Sequence, residues 1–193
     1  MHSSKLESGE LSAGAEQNWY ALFTRHQHEK SAALSLSSKG HDVYLPLYRS
    51  IRRWQDRSKQ IWFPLFSCYL FVHGGMNRQV EILTTPGILQ IVASGGRPAV
   101  VPNEQLDAIR KMIDCSFNVE PHPFLRSGDL IRVINGPLLG LEGILTRKKG
   151  STHLVISMEM LGRAASVEVN RSDVERIGPF QASMLSKAIS ASA

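Results

Sequence analysis

The sequence contains few of the residues that stabilise secreted proteins or build metal centres. Only two of its 193 residues are cysteines, Cys68 and Cys115, which is too few for a disulfide framework or a zinc cluster. No stretch approaches the run of about 18 apolar residues that spans a membrane, and the first residues lack the apolar segment of a secretory signal. These absences predict a soluble, cytoplasmic, monomeric protein with no membrane partner, no metal and no cofactor.

Signatures of enzymes are also missing. The sequence has no nucleophile elbow (G-x-S-x-G), no P-loop, no H-E-x-x-H and no C-x-x-C. His26 and His28 lie two residues apart, but a metal site would need more ligands nearby, so we interpret them as solvated histidines. We therefore predict no catalytic residues and a binding protein; only these absences argue against an enzyme of an unrecognised kind.

Positive charge exceeds negative charge, and the excess lies mainly in the first half. Lys and Arg number 22 against 17 Asp and Glu, a net charge of +5. The densest basic run includes Arg52 and Arg53 and is interleaved with Tyr48 and Trp54. Such a run is usually a solvated loop or hairpin tip, but a surface that binds a phosphate backbone has much the same sequence.

Hydrophobic patterning predicts an α+β domain over residues 17–115, after a disordered tail at 1–16. The strand-like run WYALFT (19–24) precedes a helical pattern from His28 to Lys39, and the buried run PLFSCYLFV (64–72) follows. A short helix is expected to point Val80 and Leu83 inward. The alternation favours a four-stranded, mostly antiparallel sheet with helices packed on it.

A second pattern begins after the proline-containing segment 116–126, which we interpret as an interdomain linker. Short strand-like runs separated by glycine turns follow over residues 127–178, with no helical window among them. This pattern predicts a small all-β barrel. Residues 179–193 are expected to form a frayed or disordered C-terminal tail.

Several segments together resemble one known family. They occur in the order WYALFT (19–24), VYLPLY (43–48), PLFSCYLFV (64–72), TTPGILQIV (84–92) and GRPAVVP (96–102). In this order they resemble the N-terminal (NGN) domain of NusG-type transcription elongation factors. The later segments GDLIRVINGPLLGLEGILTR (128–147) and MLGRAASVEV (160–169) look like the SH3-like KOW barrel of that family. Residues 52–60 and 83–92 are more similar to the specialised RfaH, UpxY and LoaP paralogues, which are antiterminators.

The resemblance implies that the NGN domain binds RNA polymerase through an apolar hollow on its sheet, at the clamp helices of the β′ subunit. The positions that match this hollow are Phe23, Tyr69, Phe71 and Ile91. Tyr69 and Phe71 are two residues apart and share one face of a strand. They are either ordinary core residues or, if helices cover only the other face, part of an apolar patch of the kind that marks a partner site. A second implied contact, with the β gate loop, falls on NRQV (77–80), which departs from the His-Thr-Thr of RfaH.

The resemblance also implies contact with the non-template DNA strand. The matching positions are Arg25, His26, Lys39 and Thr85. The two cationic side chains would hold phosphates, and the imidazole would stack on a flipped base. Arg52 and Arg53 would add a nonspecific contact to the DNA backbone.

For the KOW barrel, the resemblance implies binding of a small-subunit ribosomal protein or of the Rho termination factor. The matching residues are Leu138 and Leu139, although one leucine can equally close the end of the barrel. The resemblance therefore predicts that the chain is an antitermination and elongation factor that suppresses pausing and termination. The alternatives are a general NusG-like factor that also assists Rho, and a ribosome- or RNA-binding KOW protein.

Overall fold

The computed structural model describes residues 17–54, 57–115, 118–125, 127–148 and 150–181. The predicted tail at 1–16 and most of the C-terminal tail lie outside these residues. Among the described helices, none is long and apolar enough to cross a membrane. Two antiparallel sheets follow one another along the chain, one built before residue 102 and one after residue 119.

The first part of the chain contains nine strands. They are β1 (Asn18–Thr24), β2 (Asp42–Tyr44), β3 (Leu47–Trp54), β4 (Arg57–Pro64), β5 (Tyr69–Gly74), β6 (Ile88–Ile91), β7 (Ala93–Ser94), β8 (Arg97–Pro98) and β9 (Val100–Val101). The main sheet has the order β2-β5-β1-β6, and β9 also pairs with β1. β3 with β4 and β7 with β8 form two separate hairpins. The basic run therefore belongs to a hairpin.

Three α-helices accompany this sheet, and they cover both of its faces. They are α1 (Glu29–Ser38), α2 (Gln79–Leu83) and α3 (Asn103–Cys115). Helices α1 and α2 share a core with one set of β1 side chains, including Leu22. Helix α3 shares a core with the alternate set, including Trp19 and Ala21. The expectation that helices cover one face only is wrong, because β1 is apolar on both faces and both must be buried.

The short helix α2 is oriented differently from the prediction. Val80 is 76% exposed and Leu83 is 39% exposed, whereas Ile82 is buried in the core with α1. A 3-10 turn at Met76–Arg78 precedes α2 and shifts the point at which the α-helical periodicity begins. A helix of five residues has too few turns for its inward face to be read from spacing alone.

The second part of the chain is a six-stranded antiparallel sheet. Its strands are β10 (Glu120–Pro123), β11 (Ser127–Val133), β12 (Glu142–Lys148), β13 (Ser151–Met158), β14 (Arg163–Glu168) and β15 (Val174–Gln181), in the order β10-β14-β13-β12-β11-β15. β10 comes from the predicted linker and pairs with β14 at the edge of the sheet, where its two prolines are tolerated. The predicted fold class, an α+β region followed by an all-β region, is confirmed.

Helix α3 connects the two parts physically as well as along the chain. It contacts β13, and its buried residues Leu106, Ile109 and Met112 belong to a core cluster that includes Leu154 and Ile156 of that strand. On its outer side, Lys111 Nζ donates a hydrogen bond of 2.5 Å to the Leu139 carbonyl of the second part. One apolar cluster therefore holds the face of the first sheet, α3 and the second sheet together.

Candidate functional site

Phe23 and Tyr69 form an aromatic pair at one end of the first sheet. They are opposite each other in the register of β1 and β5, and their ring centroids are 5.3 Å apart with an interplanar angle of 53°. Both residues are half-buried, whereas their neighbours Leu22 and Thr24 in β1 and Leu70 in β5 are buried. The Phe23–Tyr69 pair therefore presents part of its aromatic surface to solvent while remaining anchored to the core.

Phe71 was expected in the same exposed row, but it is a core residue with no exposed area. The ring of Tyr44 stacks beside it with centroids 6.2 Å apart, and Phe66 contacts it edge-on, also at 6.2 Å. The buried residues of α3 belong to the same cluster. In this arrangement no surface of Phe71 is accessible to a partner.

Ile91 lies on the opposite face of the sheet from Phe23. It is paired with Leu22 in the register of β6 and β1, and both belong to the core beneath α1 and α2. The next residue, Val92, packs against the cluster on the Phe23 side. Because a shift of one position exchanges the two faces of a strand, grouping Ile91 with the Phe23–Tyr69 pair was wrong.

Leu89, which no sequence pattern indicated, follows Ile88 in β6 opposite the Phe23 end of β1. The register of β1 against β6 shifts between Phe23 and Thr24, where Gln90 and Ile88 are their respective partners. Leu89 is the extra residue at this irregularity, and it is 49% exposed. A β-bulge of this kind re-aims side chains and is not visible in a hydrophobic pattern.

Two of the predicted DNA-contact residues, Lys39 and Thr85, meet at the turn that precedes β6, and the backbone of Arg25 contacts the same turn. Arg25 and His26 are exposed in the loop after β1, and the Arg25 N–H donates to the Gly87 carbonyl at 2.8 Å. Gly87 has φ +91°, and a Cβ there would approach His28 Cβ to 2.9 Å, so this loop and turn are closely packed. The fold thus brings Arg25 beside residues that are about sixty positions later in the sequence.

Thr85 has a different role from the one implied for it. It is 2% exposed, so its side chain is not available to DNA. Lys39 Nζ donates a hydrogen bond of 2.8 Å to Thr85 Oγ1 and lies 3.4 Å from the Glu81 carbonyl oxygen. Thr85 therefore positions the Lys39 ammonium group, and Lys39 remains the candidate for contact with phosphate.

Charged groups around Lys39 form a network of hydrogen bonds at this end of the sheet. Arg78 donates through Nη2 to the Lys39 carbonyl at 2.7 Å and through Nε to Glu81 Oε2 at 2.8 Å. The hydrogen bond from Arg78 holds the pKa of Glu81 below its usual value, and burial lowers the pKa of the neighbouring His41. Arg78, within the NRQV segment, was not selected for DNA contact, and it adds a second cation next to Lys39.

The remaining basic candidates lie in the hairpin of β3 and β4. Arg52 is opposite Lys59, and Arg53 is opposite Ser58, so the backbone collects several basic residues near the hairpin tip. The tip itself, residues 55–56, and the side chains of residues 51–59 lie outside the described part of the structure.

The loop between β11 and β12 separates its two leucines. Leu138 is 6% exposed and belongs to the core cluster, whereas Leu139 is 54% exposed. The Leu139 carbonyl accepts the hydrogen bond from Lys111 of α3. Leu139 is therefore available to a partner, and Leu138 is the residue that closes the end of the second sheet.

This arrangement, an α+β sheet domain followed by a small antiparallel sheet, is similar to that of known proteins. A solved structure described as "Domain interaction in Thermotoga maritima NusG" has the same fold, with a TM-score of 0.53, 20% identity, and coverage of 84% of this chain and 98% of that one. The family described as "Transcription termination factor nusG" matches residues 17–110.

Curated relatives match over most of their length. Each is named "Transcription termination/antitermination protein NusG": the Pseudomonas aeruginosa protein is 21% identical over 83% of this chain and 99% of its own length, and the Yersinia pestis protein is 26% identical over 86% and 99%. Residues 17–110 match the NusG family of transcription termination and antitermination proteins, and the relatives extend this similarity over most of the chain.

Proposed function

We propose that this protein is an antitermination and elongation factor that binds RNA polymerase through the Phe23–Tyr69 pair. The observation that supports this proposal is the partial exposure of two large, paired aromatic rings at one end of the sheet. Aromatic residues that are anchored in a core and partly exposed are typical of the residues that contribute most to protein interfaces. Leu89, at the adjacent bulge, extends the apolar surface.

The expected partner segment is the pair of clamp helices in the polymerase β′ subunit. A helix can bury an apolar stripe against such a surface without needing a matching strand edge. Phe71 contributes by supporting Tyr69 from the core, since it has no exposed area of its own. Binding would then suppress pausing and termination only to the extent that the factor binds the closed, elongating polymerase more tightly than the open one.

DNA is the proposed auxiliary partner. Lys39 lies at the turn before β6, Arg78 lies beside it in an ion pair with Glu81, and Arg25 and His26 are exposed in the loop after β1. Cations would neutralise the phosphates of the non-template strand, and the imidazole would stack on a base. The hairpin residues Arg52 and Arg53 would contribute further nonspecific affinity.

The second part of the chain is the proposed recruitment domain. We assign the NGN domain to 17–115 and the KOW domain to 127–178, with β10 of the intervening segment added to the KOW sheet. Leu139 is exposed on the loop that matches the family's partner-binding loop. A small-subunit ribosomal protein or Rho would bind there.

The proposal is tested by transcription with purified RNA polymerase and the full chain. We compare wild type, the double variant Phe23→Ala with Tyr69→Ala, and the control Leu34→Ala, which removes a side chain that is 73% exposed on α1. Wild type and the control should increase read-through of pause and termination sites. The double variant should lose both this effect and polymerase binding, with circular dichroism showing that it remains folded.

Two outcomes would contradict the proposal in different ways. Full polymerase affinity in the folded double variant would show that the Phe23–Tyr69 pair is not the binding surface. Increased release at Rho-dependent terminators with wild type would favour the general NusG-like activity over antitermination. A matched reaction without Rho distinguishes this second outcome from an effect on polymerase alone.

A further inference from the structure

Three side chains with different metal-ligating groups meet beside the first turn of α1. They come from separate segments: His26 from the loop after β1, Glu29 from the start of α1, and Cys68 from the turn before β5. Their ligand atoms all lie within 4.8 Å of one another, and Cys68 Sγ is 3.9 Å from His26 Nδ1. The proposed DNA contact involves only His26 of the three, and neither the proposed polymerase contact nor the fold uses all three groups together.

The fold holds Cys68 in place through its backbone. Glu29, although a carboxylate, is only 3% exposed, and its Oε1 accepts a hydrogen bond of 2.7 Å from the Cys68 N–H. The Cys68 carbonyl accepts a hydrogen bond of 2.9 Å from the Thr24 N–H. Between these two bonds Cys68 has φ +67°, a conformation that non-glycine residues adopt rarely and that is frequent at functional sites.

The environment of Cys68 differs from the one that the sequence predicts. It placed Cys68 inside a buried strand, with His73 as its nearest histidine, whereas Cys68 is half-buried in the turn before that strand. His73 is opposite Trp19 of β1 and contacts the carboxylate of Asp42 at 3.5 Å. His26 is the histidine that lies next to Cys68, because the fold brings three separate segments together at this point.

We propose that His26, Glu29 and Cys68 bind a zinc ion. Thiolate, imidazole and carboxylate are all zinc ligands, and three protein ligands with an open fourth position form a recurrent zinc geometry. Metal–ligand distances of about 2.0–2.3 Å in a tetrahedron place the ligand atoms roughly 3.5 Å apart. The observed 3.9 Å between sulfur and nitrogen therefore requires only a small movement, and the exposed His26 side chain can make it.

The surroundings supply the fourth ligand and the charge balance. His26 and Glu29 line a cavity of about 810 Å³ that opens to solvent, so a water molecule can complete the coordination. Glu29 uses Oε1 for the Cys68 N–H, which leaves Oε2 as its ligand atom. A thiolate and a carboxylate together neutralise the two charges of the cation. Bound zinc would link the loop after β1 to the turn before β5.

Binding is measured on the full chain after removal of metal with a chelator, with Co²⁺ as a spectroscopic probe and Zn²⁺ in calorimetry. Wild type should show a thiolate-to-cobalt charge-transfer band that equimolar Zn²⁺ removes. Cys68→Ser should abolish the band, and His26→Asn and Glu29→Gln should weaken zinc binding by at least about tenfold. The matched controls Cys115→Ser and His28→Asn should bind like wild type.

A second measurement uses the wild-type chain alone and does not depend on the variants folding. Zn²⁺ should protect Cys68 from alkylation by iodoacetamide, as read by mass spectrometry, while Cys115 remains reactive. Equal alkylation of Cys68 with and without Zn²⁺ would overturn the proposal, as would unchanged zinc affinity in Cys68→Ser. Neither experiment contains polymerase or DNA, so the outcome is independent of the proposed transcriptional role.

Discussion

Lys39 and Thr85, 46 positions apart in the sequence, are joined by a hydrogen bond of 2.8 Å between Nζ and Oγ1. The bond connects the end of α1 to the turn that precedes β6. Thr85 also donates to the Glu81 carbonyl at 2.9 Å, so one buried hydroxyl serves two neighbours. This small network determines where the Lys39 charge lies, and the first two predictions concern it.

Thr85→Val should lower the free energy of unfolding by about 1–2 kcal/mol, because valine keeps the shape of the side chain and removes both of its hydrogen bonds in a buried position. Thr84→Val is the matched control. The Thr84 hydroxyl donates to the Val80 carbonyl at 2.9 Å but is exposed, so water can replace its partner. Urea denaturation of the two variants measures the difference, and equal losses would contradict a special role for Thr85.

Lys39→Gln should reduce the dependence of single-stranded DNA binding on salt. If Lys39 contacts one phosphate, the slope of log K against log salt concentration should fall by about 0.7. Thr85→Val retains the charge, so it should change the affinity at a given salt concentration while leaving the slope unaltered. Arg176→Gln, in an ion pair with Asp129 in the second sheet, is the control and should behave like wild type. An unchanged slope in Lys39→Gln would remove Lys39 from the proposed DNA surface.

Tyr44 should make the free energy of unfolding depend on pH in the alkaline range. Burial raises the pKa of Tyr44 to about 12, and Arg110 lies over its ring at 4.7 Å. Since the pKa is about 10 in the unfolded chain, folding favours the neutral phenol, and this stabilisation declines as pH rises from 10 towards 12. The unfolding free energy of Tyr44→Phe should therefore fall less steeply than that of wild type over this interval. Parallel curves in urea denaturation at pH 9 to 11.5 would contradict the assignment.

Substitutions of the two leucines in the β11–β12 loop should have different effects, one on the free energy of unfolding and the other on partner binding. Leu138→Ala should lower the free energy of unfolding by about 2–4 kcal/mol because it leaves a cavity in the core. Leu139→Ala should change stability by less than about 0.5 kcal/mol, since its side chain is largely exposed. Binding of the small-subunit ribosomal protein or Rho, measured by calorimetry, should weaken only in Leu139→Ala among folded variants. Normal binding by Leu139→Ala would place the partner surface elsewhere.

Hydrophobic periodicity and the positions of glycines were sufficient to predict most of the helices and strands. The strand β1, the helix α1 followed by Gly40 at φ +80°, and the strands of the second sheet all lie where hydrophobic periodicity and glycine positions indicate. These features depend on residues close together in the chain, and local interactions between neighbours specify them. The second sheet is larger than predicted because β10 is short and proline-containing, and it exists through pairing with β14.

The candidate sites depended on contacts that no local pattern contains. Phe71 and Tyr69 have the same periodicity, yet the packing of Tyr44 and Phe66 leaves one buried and the other partly exposed. Ile91 was assigned to the wrong face because the face is set by its register with Leu22. Thr85 was selected as a DNA contact although the fold buries it beneath Lys39.

The sequence by itself determined an α+β region, an all-β region after it, a positive first half and the similarity to the NusG family. Those properties follow from composition, periodicity and the order of motifs, each of which can be read along the chain. Tertiary structure alone decided which aromatic rings stay exposed, which cation Thr85 orients, and that His26 and Glu29 meet Cys68. Burial, register and the juxtaposition of distant segments are set by long-range packing, because strand order and helix placement bring together residues that no local interaction connects.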